Sequence, residues 1–143
     1  NPSYATAQYF SGWVAMQRGD HEDGLESIDL ARRLSPCDPL IYGMDGVSAL
    51  ILALLGRKQE ALERALRASK HPDLHYQAHA MGVVVYALVD EVELARDSLQ
   101  RVQAVKPDYD VDEFFSVYAF QQDDDIRRLT RAFKDIEGRM GRH

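Results

Sequence analysis

The sequence predicts an all-α protein of three stacked helical hairpins followed by a pair of terminal helices. The main observation is a unit that occurs three times, at Gly19–Pro36, Gly56–Pro72 and Asp90–Pro107. Each copy reads as a tight turn, an amphipathic helix and a proline stop. Small residues and bulky apolar residues recur in register within the three copies, which indicates that each helix packs against a partner in the same way.

Small residues occupy matching positions in the three copies, at Gly24, Ala61 and Ala95. The first spacing is 37 residues, from Ala31 to Ala68, and the second is 34, from Ala61 to Ala95. A period in the low thirties is typical of a repeat made of two helices. Because two helices can approach closely only where side chains are small, these positions predict the contact line inside each hairpin.

The turn and the apolar stripe of each copy also correspond. Glycine at 19 and 56 permits a tight turn between helices, and Asp90 holds that place in the third copy, since Asp tolerates turn conformations. Bulky residues follow at helical spacing, as expected for a helix with one buried face: Leu25, Ile28, Leu62, Leu66, Leu94 and Leu99.

The predicted hairpins cover residues 3–36, 39–70 and 73–106 within a single domain, 1–143. Asp20 is expected to cap the second helix, followed by acidic residues that suit a helix N-terminus. Pro39 is expected at the first position of the third helix, and the His71-Pro72 pair to end the fourth. The predicted helices are 3–18, 20–34, 39–55, 58–69, 73–89 and 91–105.

The terminal helices are expected at about 110–138. Asp110 to Glu113 resembles a capping box with Asp in the capping role, ahead of an aromatic cluster over 114–120. Asp123–Asp125 opens a last helix with apolar residues on one face: Ile126, Leu129, Phe133, Ile136 and Met140. This stripe either caps the open end of the last hairpin, as helical arrays require, or serves as a dimerisation or docking surface.

Composition narrows the class of protein. A chain of 143 residues with 45% hydrophobic content is long enough to bury one sizeable core. The net charge of −6 argues against nucleic-acid binding by this segment.

Val47–Leu55 is the most apolar stretch and is too short to span a membrane. The single Cys37 excludes an internal disulfide, and we expect a cytoplasmic location. The chain starts at Asn1 as if cut from a longer protein.

The repeated unit resembles the tetratricopeptide repeat family. The residues that carry the resemblance are Gly12, Gly19, Gly24, Ala31 and Pro36 in the first copy, Gly56, Ala61 and Ala68 in the second, and Tyr86, Ala95 and Pro107 in the third. The resemblance implies a right-handed superhelix whose first helix in each hairpin lines a concave face, and this face binds peptides in the family.

A narrower resemblance concerns the context of the repeats. The stretches GDHEDGLESIDLARRLSPCDP and GRKQEALERALRASKHPDLH are similar to the C-terminal helical-repeat region of bacterial signalling proteins. In those proteins the repeats follow a winged-helix DNA-binding domain or a class III adenylate or guanylate cyclase domain. The resemblance implies a regulatory or interaction module.

The resemblance also predicts which residues would face the groove. They are mostly apolar: Thr6, Tyr9, Trp13, Met16, Gln17, Leu50, Ala53, Leu54, Gln77, Val84, Ala87 and Leu88. The Lys, Arg and Asn set with which some family members hold a peptide carboxylate is missing, so no carboxylate clamp is expected. An apolar groove must be covered in water, by the chain's own last helix, by a second copy or by a partner helix.

Other chemistry has little basis in the sequence. His75 and His79 lie one helical turn apart with His71 just before them, yet a metal site needs further ligands and the HExxH pattern is absent. Cys37 has no second cysteine with which to form a redox pair. The acids of Asp123–Asp125 suit a helix start, and no motif indicates a phosphate loop or a nucleophile. We therefore expect no catalytic residue, metal or cofactor.

Two classes of function remain. The first is a non-catalytic interaction module that binds a protein or peptide partner or a second copy of itself, without membrane contact. The second is a small-molecule sensor that controls an attached output domain. A deep pocket lined by Tyr9, Trp13 and the 114–120 aromatics, with convergent polar groups, would favour the sensor. An enzyme is the third and weakest hypothesis.

Overall fold

The computed structural model describes residues 2–71 and 73–141, and the backbone alone for Pro2 and Ser3. Within those ranges the chain contains helices and no strands, which confirms the all-α class. The helices are α1 Pro2–Arg18, α2 His21–Leu34, α3 Ile41–Leu54, α4 Lys58–Ala68, α5 Tyr76–Leu88, α6 Val92–Val105, α7 Val111–Val117 and α8 Asp123–Arg139.

Consecutive helices pack in pairs, α1 with α2, α3 with α4, and α5 with α6. The pairs stack in chain order, since α3 lies against α2 and α5 lies against both α3 and α4. In the first pair the helices cross at two glycines. A Cβ atom added to Gly12 would come within 2.6 Å of Ile28 Cδ1 and 2.9 Å of the Gly24 carbonyl oxygen. The predicted small-residue contact line is therefore present in this hairpin.

The three turns inside the hairpins have the same backbone conformation. Gly19, Gly56 and Asp90 have φ values of 89°, 80° and 65°, in the left-handed region. Each of them donates its N–H to the carbonyl three residues earlier, and the next residue donates to the carbonyl five residues earlier. This bonding satisfies carbonyls at the helix end. The prediction that Asp90 replaces glycine in the third turn is confirmed.

Two predicted helix starts are wrong, that of α3 by two residues and that of α5 by three. Asp38 and Pro39 lie in a turn before α3, where the Asp38 carboxylate accepts a 2.8 Å hydrogen bond from the Leu40 N–H. The fifth helix starts at Tyr76 instead of residue 73, because His75 caps it by accepting from the Gln77 N–H at 3.1 Å. Asp20 makes no side-chain capping bond. The predicted stop at Pro72 lies outside the described residues.

The start of α7 follows half of the predicted capping box. The Asp110 carboxylate accepts from the Glu113 N–H at 3.0 Å, as expected for the capping residue. The Glu113 side chain does not return to Asp110; its carboxylate forms an ion pair with Lys106 instead. Phe114 in α7 and Phe133 in α8 are fully buried. The terminal helices therefore contribute to the same core as the hairpins.

Candidate functional site

The residues predicted to line the concave face are mostly in the interior. Five of the nine proposed partner-binding side chains are buried: Tyr9, Met16, Leu50, Leu54 and Val84. The other four are partly buried: Trp13, Gln17, Gln77 and Leu88. Among the additional groove positions, Ala53 is buried, and Thr6 and Ala87 are partly buried. This face is therefore not an open groove, and a partner has little access to it in this conformation.

The chain's own C-terminal segment, residues 109–139, covers this face. The Tyr118 ring packs on Trp13 with ring centroids 5.5 Å apart, and the Gln121 N–H donates to the Gln17 carbonyl at 2.8 Å. Gln77 accepts twice, from the Tyr109 hydroxyl at 2.9 Å through its side chain and from the Tyr118 hydroxyl at 2.8 Å through its backbone. Burial raises the pKa of both tyrosines, so both remain protonated donors at neutral pH.

Helix α8 completes the cover. Its Asp125 carboxylate lies 2.9 Å from His21 Nε2, and Arg128 donates a 2.8 Å hydrogen bond to the Leu54 carbonyl. The proposed association stripe is used within the chain: Ile126 is partly buried, and Leu129, Phe133 and Ile136 are fully buried. The stripe thus caps α5 and α6, and it leaves no free apolar face for a docking helix of the predicted kind.

The interface between the first two hairpins is filled by charged side chains. Asp45 of α3 is only 3% exposed and lies between Arg32 of α2 and Arg67 of α4, at 3.5 and 3.3 Å. Beside it, Asp29 of α2 forms an ion pair with Arg64 of α4. Buried charges persist only when they are paired, so these five residues form a closed ionic contact that ties α2, α3 and α4 together.

The interface between the second and third hairpins holds a cleft of about 640 Å³, which we call the inter-hairpin cleft. Tyr42 and His71 stack edge to face at its rim, with centroids 4.9 Å apart. Its polar lining comes mainly from α5, α6 and the connection between α4 and α5, and Tyr9, Trp13 and Tyr118 also line it. This volume falls within the range of ligand sites. Of the aromatics in 114–120, only Tyr118 lines it.

Residues at the same distance from the turn residue of their hairpin (Gly19, Gly56 or Asp90) correspond, and this correspondence distinguishes the two interfaces. The positions of Arg32 and Arg64 are held in the next hairpin pair by Ser69 and Ser98, and Asp29 is replaced by Leu66. His79 corresponds to Asp45, and Arg101 corresponds to Arg67. All five of these counterparts line the cleft. This interface therefore has no counterparts of Arg32 and Arg64, and the two serines at those positions line the cleft.

The ionisable groups of the cleft have distinct environments. Burial first, and then the nearby Arg101 charge, lower the pKa of His79, so its ring is neutral at neutral pH. Burial raises the pKa of Tyr86, whose hydroxyl is hydrogen-bonded to Ser69. Asp97 and Arg101 form an exposed ion pair of 3.1 Å at the mouth. Ser98 is 6% exposed and presents its hydroxyl beside Gly82.

Helix α1 carries an exposed apolar surface, which we call the α1 face and define as Tyr4, Ala7, Phe10, Ser11 and Val14. Phe10 is 55% exposed and Val14 is 42% exposed. The residues at the same distance from the turn in the other hairpins are at most 7% exposed because the preceding hairpin covers them: Val47 and Ile51 in α3, and Met81 and Val85 in α5. Among the hairpins in residues 2–71 and 73–141, none covers the α1 face.

The remaining candidates do not converge on a site. His71 stacks on Tyr42, His75 caps α5, and His79 lines the cleft, so the three histidines serve separate contacts. Among residues 2–71 and 73–141, no three His, Cys, Asp or Glu side chains are grouped as metal ligands. Cys37 is exposed in the loop before α3. None of the described helices is long and apolar enough to cross a bilayer.

Sequence reasoning missed the inter-hairpin cleft and the α1 face. The signal for the cleft was present, since the repeat register pairs Arg64 with Ser98 and Asp45 with His79. Comparison with known proteins adds no further assignment: no protein-family model, curated protein or solved structure matches the chain.

Proposed function

We propose that this chain is a non-catalytic interaction module of tetratricopeptide-like hairpins that self-associates through the α1 face. Its setting, from the resemblance of its repeats, is the regulatory region of a bacterial signalling protein, either a transcription regulator or a nucleotide cyclase. In that setting, pairing of the modules would control the distance between attached domains.

The observation that carries this proposal is the exposure of Phe10 and Val14. Large apolar side chains at these repeat positions are buried under a neighbouring hairpin elsewhere in the molecule. Removing apolar surface from water is favourable by about 25 cal/mol per Å². The α1 face therefore gains most from association, because the predicted concave face and the α8 stripe already lie against the chain itself.

A second copy suits the α1 face by its geometry and charge. Tyr4, Ala7, Ser11 and Val14 recur every three or four residues along α1, which is the spacing of a helix-to-helix seam. In an antiparallel pair about a two-fold axis near Ser11, each α1 N-terminus would approach Asp20 and Asp23 of the other copy. Carboxylates stabilise the partial positive charge of a helix N-terminus, and no acidic residue in the first turn of α1 opposes them.

The test is the solution mass of the chain by light scattering over a wide concentration range. We expect a dimer for the wild type, and a monomer for F10D/V14D, because these exposed side chains contribute little to the fold. Val105→Asp is the matched control, since Val105 is 64% exposed on α6 and lies away from α1. A wild-type monomer at every concentration, or a dimer that survives F10D/V14D, would refute self-association through this face.

A second candidate function is a ligand-controlled sensor, and the inter-hairpin cleft is the observation that favours it. Tyr9, Trp13 and Tyr118 connect the cleft to the C-terminal segment. A ligand there would therefore contact all three hairpins and the cover of the concave face. The sensor proposal requires that occupancy changes the hydrogen-exchange protection of residues 109–139. Unchanged protection at saturating ligand would exclude it.

A further inference from the structure

We propose that the inter-hairpin cleft binds the guanidinium group of an arginine side chain carried by a partner peptide. The inference concerns the site of the second candidate function and does not depend on self-association. It rests on a comparison within the molecule, because the equivalent space in the preceding interface is occupied by the chain's own arginine side chains, Arg32 and Arg64.

The cleft has room for an added side chain. Ser69 and Ser98 stand at the repeat positions of Arg32 and Arg64, so two long cationic side chains are missing from this interface. Both serines line the cleft of about 640 Å³. An arginine delivered from outside between α4 and α6 would take the place that Arg64 takes between α2 and α4.

The polar and charged groups that face the cleft suit a cation. Ser98 presents its hydroxyl, the Ser69 hydroxyl donates to the Leu66 carbonyl at 2.7 Å and keeps its oxygen as an acceptor, and His79 adds a ring nitrogen. The charged groups are Asp73, Asp97 and Arg101. Two carboxylates therefore face one guanidinium, which leaves one negative charge in excess for an incoming cation.

Arg101 does not exclude a second guanidinium. Asp45 shows how one carboxylate of this protein holds two arginines at once, at 3.5 and 3.3 Å. Asp97 is bonded to Arg101 through a single oxygen, Oδ2, at 3.1 Å. Its other oxygen is available at the mouth of the cleft, where a bound arginine would emerge.

The aromatic lining favours a planar cation. The rings of Tyr42 in α3, Tyr86 in α5 and Trp13 in α1 line the cleft. A guanidinium stacks on aromatic faces and is more weakly hydrated than an ammonium group. Arginine is therefore preferred over lysine, and the net charge of −6 assists the approach of a basic peptide.

The probes are four peptides of one length, acetyl-Ala-X-Ala-X-Ala-amide, in which X is arginine, citrulline, lysine or glutamate. Citrulline has the shape of arginine without its charge. Trp13 is the single tryptophan of the chain and lines the cleft, so its fluorescence reports occupancy. We expect the arginine peptide to bind at least about tenfold more tightly than the citrulline peptide, with amide NMR shifts confined to residues that line the cleft.

Three variants test the position and the charge of the site. L66D/S98R recreates the Asp29–Arg64 pair inside the cleft, and we expect it to keep the fold and lose the arginine peptide. Ser116→Arg places an arginine at an exposed position of α7, outside the cleft, and should bind normally. Asp97→Asn should reduce the preference for arginine over citrulline. Circular dichroism and thermal unfolding establish that each variant is folded.

Several results would overturn the inference. They are equal binding of the arginine and citrulline peptides, NMR shifts outside the cleft, and unchanged binding by folded L66D/S98R. Binding of free ethylguanidinium with no gain from the peptide would also reject a peptide partner. If the arginine peptide binds and residues 109–139 keep their exchange protection, the inference stands while the sensor function fails.

Discussion

Asp125 of helix α8 lies 2.9 Å from Nε2 of His21, so the last helix is joined to the start of the second helix across 104 residues of sequence. The two side chains are only 8% and 13% exposed. Together with the bond from Arg128 to the Leu54 carbonyl, this contact holds the N-terminal half of α8 against the first two hairpins. The apolar stripe of α8 holds its other half against α5 and α6.

We expect His21→Ala to destabilise the protein by about 1–3 kcal/mol, because Asp125 would remain buried without its partner. Hydrogen exchange should accelerate most over residues 123–139, and less within the first hairpin. Asp135→Asn, which breaks the exposed contact with Arg139, should change stability by less than about 0.5 kcal/mol. A uniform increase in exchange over the whole chain would show that the contact does not act on α8 specifically.

Local chemistry made the hairpins predictable from sequence. Gly12 and Gly24 are small where two helices cross, and Asp90 tolerates the left-handed turn that glycine adopts in the other two copies. Helix starts were less predictable, because side-chain hydrogen bonds near each start decide which residue begins the helix. The Asp38 carboxylate stabilises a turn that delays α3, and His75, expected within a helix, caps α5 instead.

Whether the predicted groove is open or covered depends on contacts between residues that are distant in sequence. Trp13, Gln17 and Gln77 were expected to face an open groove, but Tyr118 and Gln121 of the C-terminal segment return over them. Nothing in the local pattern around those residues indicates that cover. The exposure of the α1 face likewise depends on how the hairpins stack. Phe10 is as apolar as its buried counterpart Val47, so the residue type alone does not predict which of the two is exposed.

The turn residues Gly56 and Asp90 should respond in opposite directions to substitution. A Cβ atom at Gly56 would meet no other atom within 4 Å, so Gly56→Ala tests backbone strain alone. We expect it to cost about 1–2 kcal/mol, because a left-handed conformation disfavours alanine. Asp90→Gly should leave stability unchanged or raise it, since its ion pair with Lys58 is exposed. Urea unfolding measures both, and a destabilised Asp90→Gly would contradict the account of the turn.

The environment of His79 predicts a pH dependence of stability. Burial and the Arg101 charge lower its pKa in the folded state, so the unfolded chain binds the proton more readily. This stabilising contribution is complete above the unfolded pKa of about 6.5 and is lost as the pH falls through the lower, folded pKa. We expect His79→Gln to lose less stability than the wild type between neutral and mildly acidic pH.

An NMR titration of the His79 ring tests the same prediction directly. Its apparent pKa should lie below the ordinary value of histidine, and Arg101→Gln should move it part of the way back, since burial remains the larger cause. Asp97 opposes this shift, so Asp97→Asn should lower the pKa further. A titration at the ordinary value in the wild type would remove the basis for a neutral ring in the cleft.

The two hairpin interfaces should also differ in their sensitivity to loss of an acid. Asp45 is almost fully buried and holds Arg32 and Arg67, so Asp45→Asn leaves two arginines without their shared carboxylate. Breaking a buried ion pair costs about 3–5 kcal/mol, and because Arg67 is 42% exposed we expect the lower end of that range. Asp97→Asn removes an exposed acid and should cost less than about 1 kcal/mol. Thermal unfolding of both variants distinguishes the filled interface from the open one, and equal effects would refute that distinction.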